Sequence, residues 1–195
     1  MKKVIWFDTE TTGVTEACDL VQIAGIIVID GVVKEEFDIK SRPFKDTVIF
    51  DEALKVTQKT KDEIFNYPDP KKSYTKFKNI LLKYVNKFDK NDKFWIAGHN
   101  INFDFNMLVK WALKNNDKYL GSLISYKDHF DTLSTVKALK FVDKFPKTQN
   151  NKLVTLAEAL NISFEGMAHD ALFDVKATRK LGLYLLRLLS NIKMI

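Results

Sequence analysis

The sequence predicts an α/β protein: a central mixed sheet with three antiparallel N-terminal strands followed by parallel strands, flanked by helices. Three observations lead there. Val4-Ile5-Trp6-Phe7 is an apolar run without alternation, the mark of a strand buried on both faces. The apolar run from Leu20 to Ile29 and the Val32-Val33 run that leads to Ile39 are joined by Asp30-Gly31, a hairpin signal that sets up an antiparallel meander. A second short apolar run, Phe94 to Ala97, is stopped by Gly98-His99-Asn100 and followed by a helical pattern from about Asn102 to Lys114, giving a strand, a tight turn and a helix.

The remaining elements follow in order. Arg42-Pro43 closes the meander. Short helices are expected from Asp51 to Val56 and after Thr60, where Thr60 and Glu63 have the spacing of a capping box. Tyr67 to Pro70 reads as a loop. Phe77, Ile80, Leu81, Tyr84, Val85 and Phe88 recur at intervals of three and four, which predicts an amphipathic helix closed by the polar turn Asp89 to Lys93. Asp131 is a predicted N-cap for a helix carrying Leu133, Val136 and Leu139, and a further helix holds Leu153, Leu156, Ala157 and Leu160. The polar link from Phe145 to Asn151 lies between them. A last helix, N-capped by Asp170, runs to about Leu189 and is expected to be apolar nearly all round, hence packed in the core.

Composition bounds the function. A chain of 195 residues, 46% apolar and 29% charged, is expected to form one domain over residues 1–195 with a proper core. No run approaches the roughly 18 uninterrupted apolar residues of a membrane span. Asp8 interrupts the only signal-like start, so a cytoplasmic protein with no membrane partner is expected. The single Cys18 excludes an intramolecular disulfide and argues against a thiolate zinc site. The net charge of +6 favours a polyanionic partner, more so if several acids cluster at one point. Only three of the 31 basic residues are Arg (Arg42, Arg179, Arg187), which suggests backbone contact with little reading of bases.

The chemistry-bearing residues begin where the first strand ends. Asp8 and Glu10 share one face of an extended chain, and their like charges repel unless a cation lies between them; a hard divalent ion with oxygen ligands fits. For a lone D-x-E, a solvated Thr-rich turn with exposed carboxylates is the better explanation. Further along, Asp104 falls in the first turn of its helix, where free N–H groups favour a carboxylate. His169 precedes the last helix and Asp174 lies one turn inside it, so both can face one cleft. None of the three pieces is specific alone, since each is also compatible with a capped helix or a turn.

Taken in order, FDTETTG, GHNINFD and HDALFD resemble the three motifs of the DnaQ-like (DEDDh) exonucleases, over nearly the whole chain. The resemblance implies a ribonuclease H-like fold and metal-dependent 3′→5′ removal of nucleotides. It carries Asp8, Glu10, Asp104 and Asp174 over as ligands of two Mg²⁺ (or Mn²⁺), with Asp8 bridging, and His169 as general base. Thr11 and Thr12 resemble positions along the terminal nucleotide, and Asn100 and Phe103 are expected to border the same pocket; turn formation and packing explain these four nearly as well. Asp131 resembles an acidic position outside the metal set. His99 is expected to stabilise its turn, and His129 to be structural or solvated.

The leading reading is a 3′→5′ exonuclease on single-stranded DNA, with an exoribonuclease on short RNA as its alternative, since the metals do not distinguish the sugars. A binding module without catalysis disagrees with the intact five positions. The end of the chain directly after the last helix favours a stand-alone or accessory nuclease, with a DNA polymerase or repair protein as candidate partner.

Overall fold

Val4 to Phe7 lie inside β1 (Lys3–Thr11), the middle of a five-stranded sheet ordered β3-β2-β1-β4-β5 in the computed structural model, which describes residues 1–162 and 170–191. β2 (Leu20–Ile29) and β3 (Val32–Lys40) continue antiparallel from β1, joined by Asp30 and Gly31 at positive φ, the backbone that a two-residue hairpin requires. β4 (Phe94–Gly98) and β5 (Ile124–Asp131) lie parallel on the other side of β1. The strand does not stop at the carboxylates: β1 continues through Asp8 and Glu10 to Thr11, with a register shift between Glu10 and Thr11.

Strand parity divides the core. Ile5 and Phe7 join Ile23, Ile27, Phe77, Leu81, Leu108 and Trp111 beneath α3 (Pro70–Leu82) and α4 (Ile101–Lys114). Trp6 faces the opposite way, with Ala24, Ile26 and Ala97, beneath Ala171 and Val175 of α7 (Ala171–Ser190). There the indole meets Phe130 edge-on, with ring centroids 5.8 Å apart. Gly182 completes the fit, because a Cβ on it would lie only 2.3 Å from Cη2 of Trp6. A third cluster joins Val136 and Leu139 of α5 (Thr132–Phe141), Phe145, Leu156 of α6 (Leu153–Glu158), and Leu181 and Leu185.

Two short helices, α1 (Asp51–Thr57) and α2 (Lys61–Phe65), cross between β3 and α3. Thr60 caps α2 by accepting from the Glu63 N–H at 3.1 Å, but the Glu63 carboxylate bonds the Tyr67 hydroxyl instead of closing the capping box. Asp69 caps α3, which therefore starts at Pro70. Two expectations need correction, and one strand lies where the sequence reading places none. α3 ends at Leu82, and Phe88 is exposed rather than part of an apolar stripe. α7 buries one face only, leaving Leu183, Tyr184, Leu186 and Leu189 exposed. β5 carries no clear alternation, since its middle residues are exposed or half-buried at a sheet edge, and the apolar pattern alone does not reveal it. Among the described residues, no helix is long and apolar enough to cross a membrane.

Candidate metal centre

Parity on β1 also sorts the site. Trp6, Asp8 and Glu10 alternate onto the α7 face, and Asp174 enters the same space from the first turn of α7. The start of α7 is fixed by Asp170, whose carboxylate accepts from the N–H groups of Leu172 (3.0 Å) and Phe173 (3.2 Å). Ligand oxygens of Asp8, Glu10 and Asp174 all lie within 4.8 Å of one another. Among the described residues neither the Asp8 nor the Glu10 side chain has a hydrogen bond or ion pair within the protein.

Asp104 belongs to the same electrostatic group but is held separately. Its Oδ1 accepts two hydrogen bonds from Thr9, 2.9 Å from the backbone N–H and 2.7 Å from the hydroxyl. Thr9 has the opposite parity to Asp8 and Glu10, so it faces α4 while they face α7. The first-turn N–H groups of α4 were the expected reason for a carboxylate here; a tie to the neighbouring strand is the stronger one, and Thr9 is a residue that the motif reading passed over. Its signal was the single residue between the two acids.

Burial pushes the acids towards their neutral forms. Asp8 is raised well above the usual carboxylate range, first by burial and then by Asp104, Glu10 and Asp174. Glu10 is pushed up to about 8 by burial, against an opposing pull from Lys59. Asp104 is pushed up to about 7 by burial, although the Thr9 hydrogen bonds lower it. Four oxygen-bearing acids, too crowded to ionise together, suit a hard divalent cation, whose charge would offset their repulsion.

The flanking residues separate into two spaces. On one side of the cluster is a pocket of about 470 Å³ bordered by Glu10, Thr11, Val14, Phe50, Val56 and Phe103. On the other, a cleft of about 680 Å³ contains Asp8, Asp174, His99, Asn100, Lys137 and Lys152. Val56 borders both. Asn100 and Phe103 therefore do not share a pocket. Thr12 is fully buried, and its hydroxyl donates to Val48 O (2.7 Å) and accepts from the Asp19 N–H (2.9 Å), so it ties loops together and does not face the pocket. Thr11 borders the pocket, though its hydroxyl donates to Gly13 O at 2.7 Å.

His99 is more than a turn residue. Its Nε2 lies 3.0 Å from the Asn151 carbonyl, which can only accept, so Nε2 carries the proton; Nδ1 lies 2.8 Å from the Thr132 hydroxyl. Burial lowers its pKa and keeps the ring neutral. His129 is exposed at the sheet edge. His169, the expected general base, lies outside the described residues.

Comparison with known proteins bears on the family and the fold. A family model described as exonuclease (RNase T) matches residues 5–181. No curated protein matches by sequence. The fold is similar to that of Escherichia coli exonuclease I in complex with a dT13 oligonucleotide, at 21% identity and a TM-score of 0.76, over 95% of this chain and 41% of that one. A zinc-bound form of the E. coli exonuclease I–ssDNA complex matches at 20% identity with a TM-score of 0.78, over 98% and 41% of the two chains. A moderately thermophilic exonuclease I from Methylocaldum szegediense matches at 20% identity and a TM-score of 0.75, over 95% and 40%. The chain thus spans about two fifths of these exonuclease I chains.

Proposed function

Since the chain belongs to the DnaQ-like exonuclease family, of ribonuclease H-like fold, we propose that it is a DEDDh-type 3′→5′ exonuclease that releases nucleoside 5′-monophosphates from single-stranded DNA. The observation that carries this reading is the placement of the Asp8, Glu10 and Asp174 carboxylates, within 4.8 Å of one another, between a pocket and an open cleft. The pocket volume of about 470 Å³ lies within the range of small-molecule sites. Its exposed apolar walls, Phe50, Val56 and Val14, suit the flat face of any base, which gives binding without sequence preference.

The chain's own residues then divide the work. Asp8, Glu10, Asp174 and Asp104 would hold two Mg²⁺ or Mn²⁺ ions, which when bound supply charge stabilisation for the attacking and leaving oxygens. Thr9 fixes the Asp104 carboxylate. Phe103 and Thr11 border the terminal nucleoside. A water oxygen attacks phosphorus, the bond from phosphorus to the upstream 3′-oxygen breaks, and the strand keeps a new 3′-hydroxyl. His169 accepts the water's proton, and solvent protonates the leaving oxygen. In this reading one cytoplasmic domain carries the activity, and a DNA polymerase or repair protein is its candidate partner.

The test is product analysis on matched 3′-labelled and 5′-labelled DNA and RNA oligomers with Mg²⁺ or Mn²⁺. Release of labelled mononucleotide from the 3′ end of DNA, with closed single-stranded circles intact, is the expected result. Cleavage of circles would establish endonuclease action instead, and preference for RNA would replace the substrate.

A further inference from the structure

The cleft on the Asp174 side of the carboxylates has a construction that the hydrolytic step does not use. One wall is α5, which presents Lys137. Beside it lies the end of the segment from Val142 to Lys152, which presents Asn151 and Lys152 at the start of α6. That segment is tied down at several points. The His99 ring donates to Asn151 O, and Lys140 Nζ donates to Thr148 Oγ1 (2.5 Å) and Asn151 Oδ1 (2.7 Å). The Thr148 hydroxyl donates to Asn150 O at 2.7 Å, and the Lys152 N–H donates to Asn150 Oδ1 at 2.9 Å. Phe145 anchors the segment in the third core cluster.

Lys140 is thus used internally, whereas Lys137 and Lys152 are exposed and, among the described residues, have no ion-pair partner. Two ammonium groups without an ion-pair partner among the described residues line a cleft that Asp8 and Asp174 also line. A polyanion entering that cleft meets repulsion from the carboxylates, which fixed cations on the walls offset. Because the wall is already ordered by its hydrogen bonds, little conformational entropy is lost when a ligand settles on it.

We propose that this cleft is the track for the single-stranded polynucleotide upstream of the scissile bond, with Lys137 and Lys152 each neutralising one backbone phosphate and the tethered 142–152 segment as a fixed wall. The inference rests on the exonuclease reading above: with the terminal nucleoside in the pocket beside Glu10, the rest of the strand leaves across Asp8 and Asp174. Lysines act on phosphate as point charges, so the track holds strands of any sequence.

The test is binding of an oligothymidylate of about a dozen nucleotides, with Ca²⁺ in place of Mg²⁺ to prevent turnover, measured by fluorescence anisotropy across a series of salt concentrations. Each phosphate contact on a single strand contributes about −0.7 to the slope of log K against log salt. Lys137→Gln and Lys152→Gln should each reduce the slope by about 0.7 and the double variant by about 1.4, while Lys34→Gln on β3 leaves it unchanged. Under Mg²⁺ the ratio of kcat/KM for the long strand over a dinucleotide, whose one phosphate is the scissile one, should fall on the order of tenfold in the double variant. Melting temperatures equal to wild type establish that the variants are folded. A wild-type slope retained by the folded double variant overturns the track while leaving the exonuclease reading standing. A wild type that neither binds nor shortens single strands overturns that reading, and the track with it.

Discussion

Two sets of buried acids stand side by side in this molecule and behave in opposite ways. Asp131, at the end of β5, accepts from the N–H groups of Asn100 (2.7 Å), Ile101 (3.4 Å), Leu133 (3.2 Å) and Ser134 (3.2 Å) and from the Ser134 hydroxyl (2.5 Å). It caps two helices at once, and these hydrogen bonds outweigh burial and keep its pKa low. Asp117 is similar, held by Tyr74, Lys78 and the Tyr119 N–H. At Asp8 and Glu10 no such donors among the described residues meet the carboxylates, and burial pushes both upward. The difference teaches that hydrogen-bond donors, more than burial, separate an acid that supports the fold from one that burial pushes towards its neutral form. Asp104 lies between the two: two donors, yet a pKa of about 7.

The strongest way to break this comparison is to remove one acid from the open set. Asp8→Ala and Asp174→Ala should each lower turnover by at least about 10²- to 10³-fold, the scale of losing one preorganised electrostatic group. Without metal they should melt at the wild-type temperature or above, because each relieves repulsion. Near-normal turnover of either variant at saturating Mg²⁺ would remove that residue from the metal set.

His169→Ala should cost about 10²- to 10⁴-fold in rate at saturating metal. It should also remove the rise of activity with pH through the imidazole range near about 6.5, since only the neutral ring takes a proton. Metal affinity by calorimetry should change little; retention of the same pH limb would call for another base.

Thr9→Val sharpens the intermediate case. It deletes the hydroxyl bond to Asp104 and keeps the backbone one, so divalent-ion affinity should fall about 10- to 100-fold, as for other partners that orient a ligand. Asp131→Ala should show the reverse balance. Stability should drop by about 1–2 kcal/mol, the scale of a lost N-cap, seen as a lower midpoint in urea, with activity per folded molecule reduced less than by Thr9→Val.

A further contrast is in pH dependence. Glu10 rises from its ordinary 4.5 to about 8 and Asp104 from 3.8 to about 7. A carboxylate raised on folding contributes stability that is full below its unfolded pKa and lost as pH climbs through the folded one. The metal-free protein should therefore melt progressively lower from about pH 4 to pH 8. Saturating Mn²⁺ should flatten or invert that trend, because it binds the ionised carboxylates. Parallel melting curves with and without Mn²⁺ at both ends of the range would contradict a cation site at these acids.

Much of this contrast was legible in the residues. Asp131 and Asp170 read as N-caps, and both cap helices. The D-x-E parity placed Asp8 and Glu10 together, and the two cluster with Asp174. What was hidden depends on contacts distant in sequence. The tie from Thr9 to Asp104 spans 95 positions, and that from His99 to Asn151 spans 52, so no local pattern reveals either. The separation of Phe103 from Asn100 arises at the N-cap of α4, where Asn100 leaves the helical path in a left-handed conformation at φ 61°. The exposed side of α7 escaped because leucine identity says nothing of which face is covered.

The close seat of Gly182 on Trp6 also calibrates the site. α7 behaves as a rigid beam lying on a flat bearing, the indole, with Asp174 about 12 Å nearer its other end. A methyl wedged at position 182 would need about 1 Å of clearance, and a beam levered up there tilts along its whole length. Trp6 is also two residues from Asp8 on the same face of β1, so the bearing and one arm of the carboxylate cluster are cut from one strand. The gap between Asp8 and Asp174 is thus gauged by a hydrogen atom two turns away, in a part of the helix that lines neither the pocket nor the cleft.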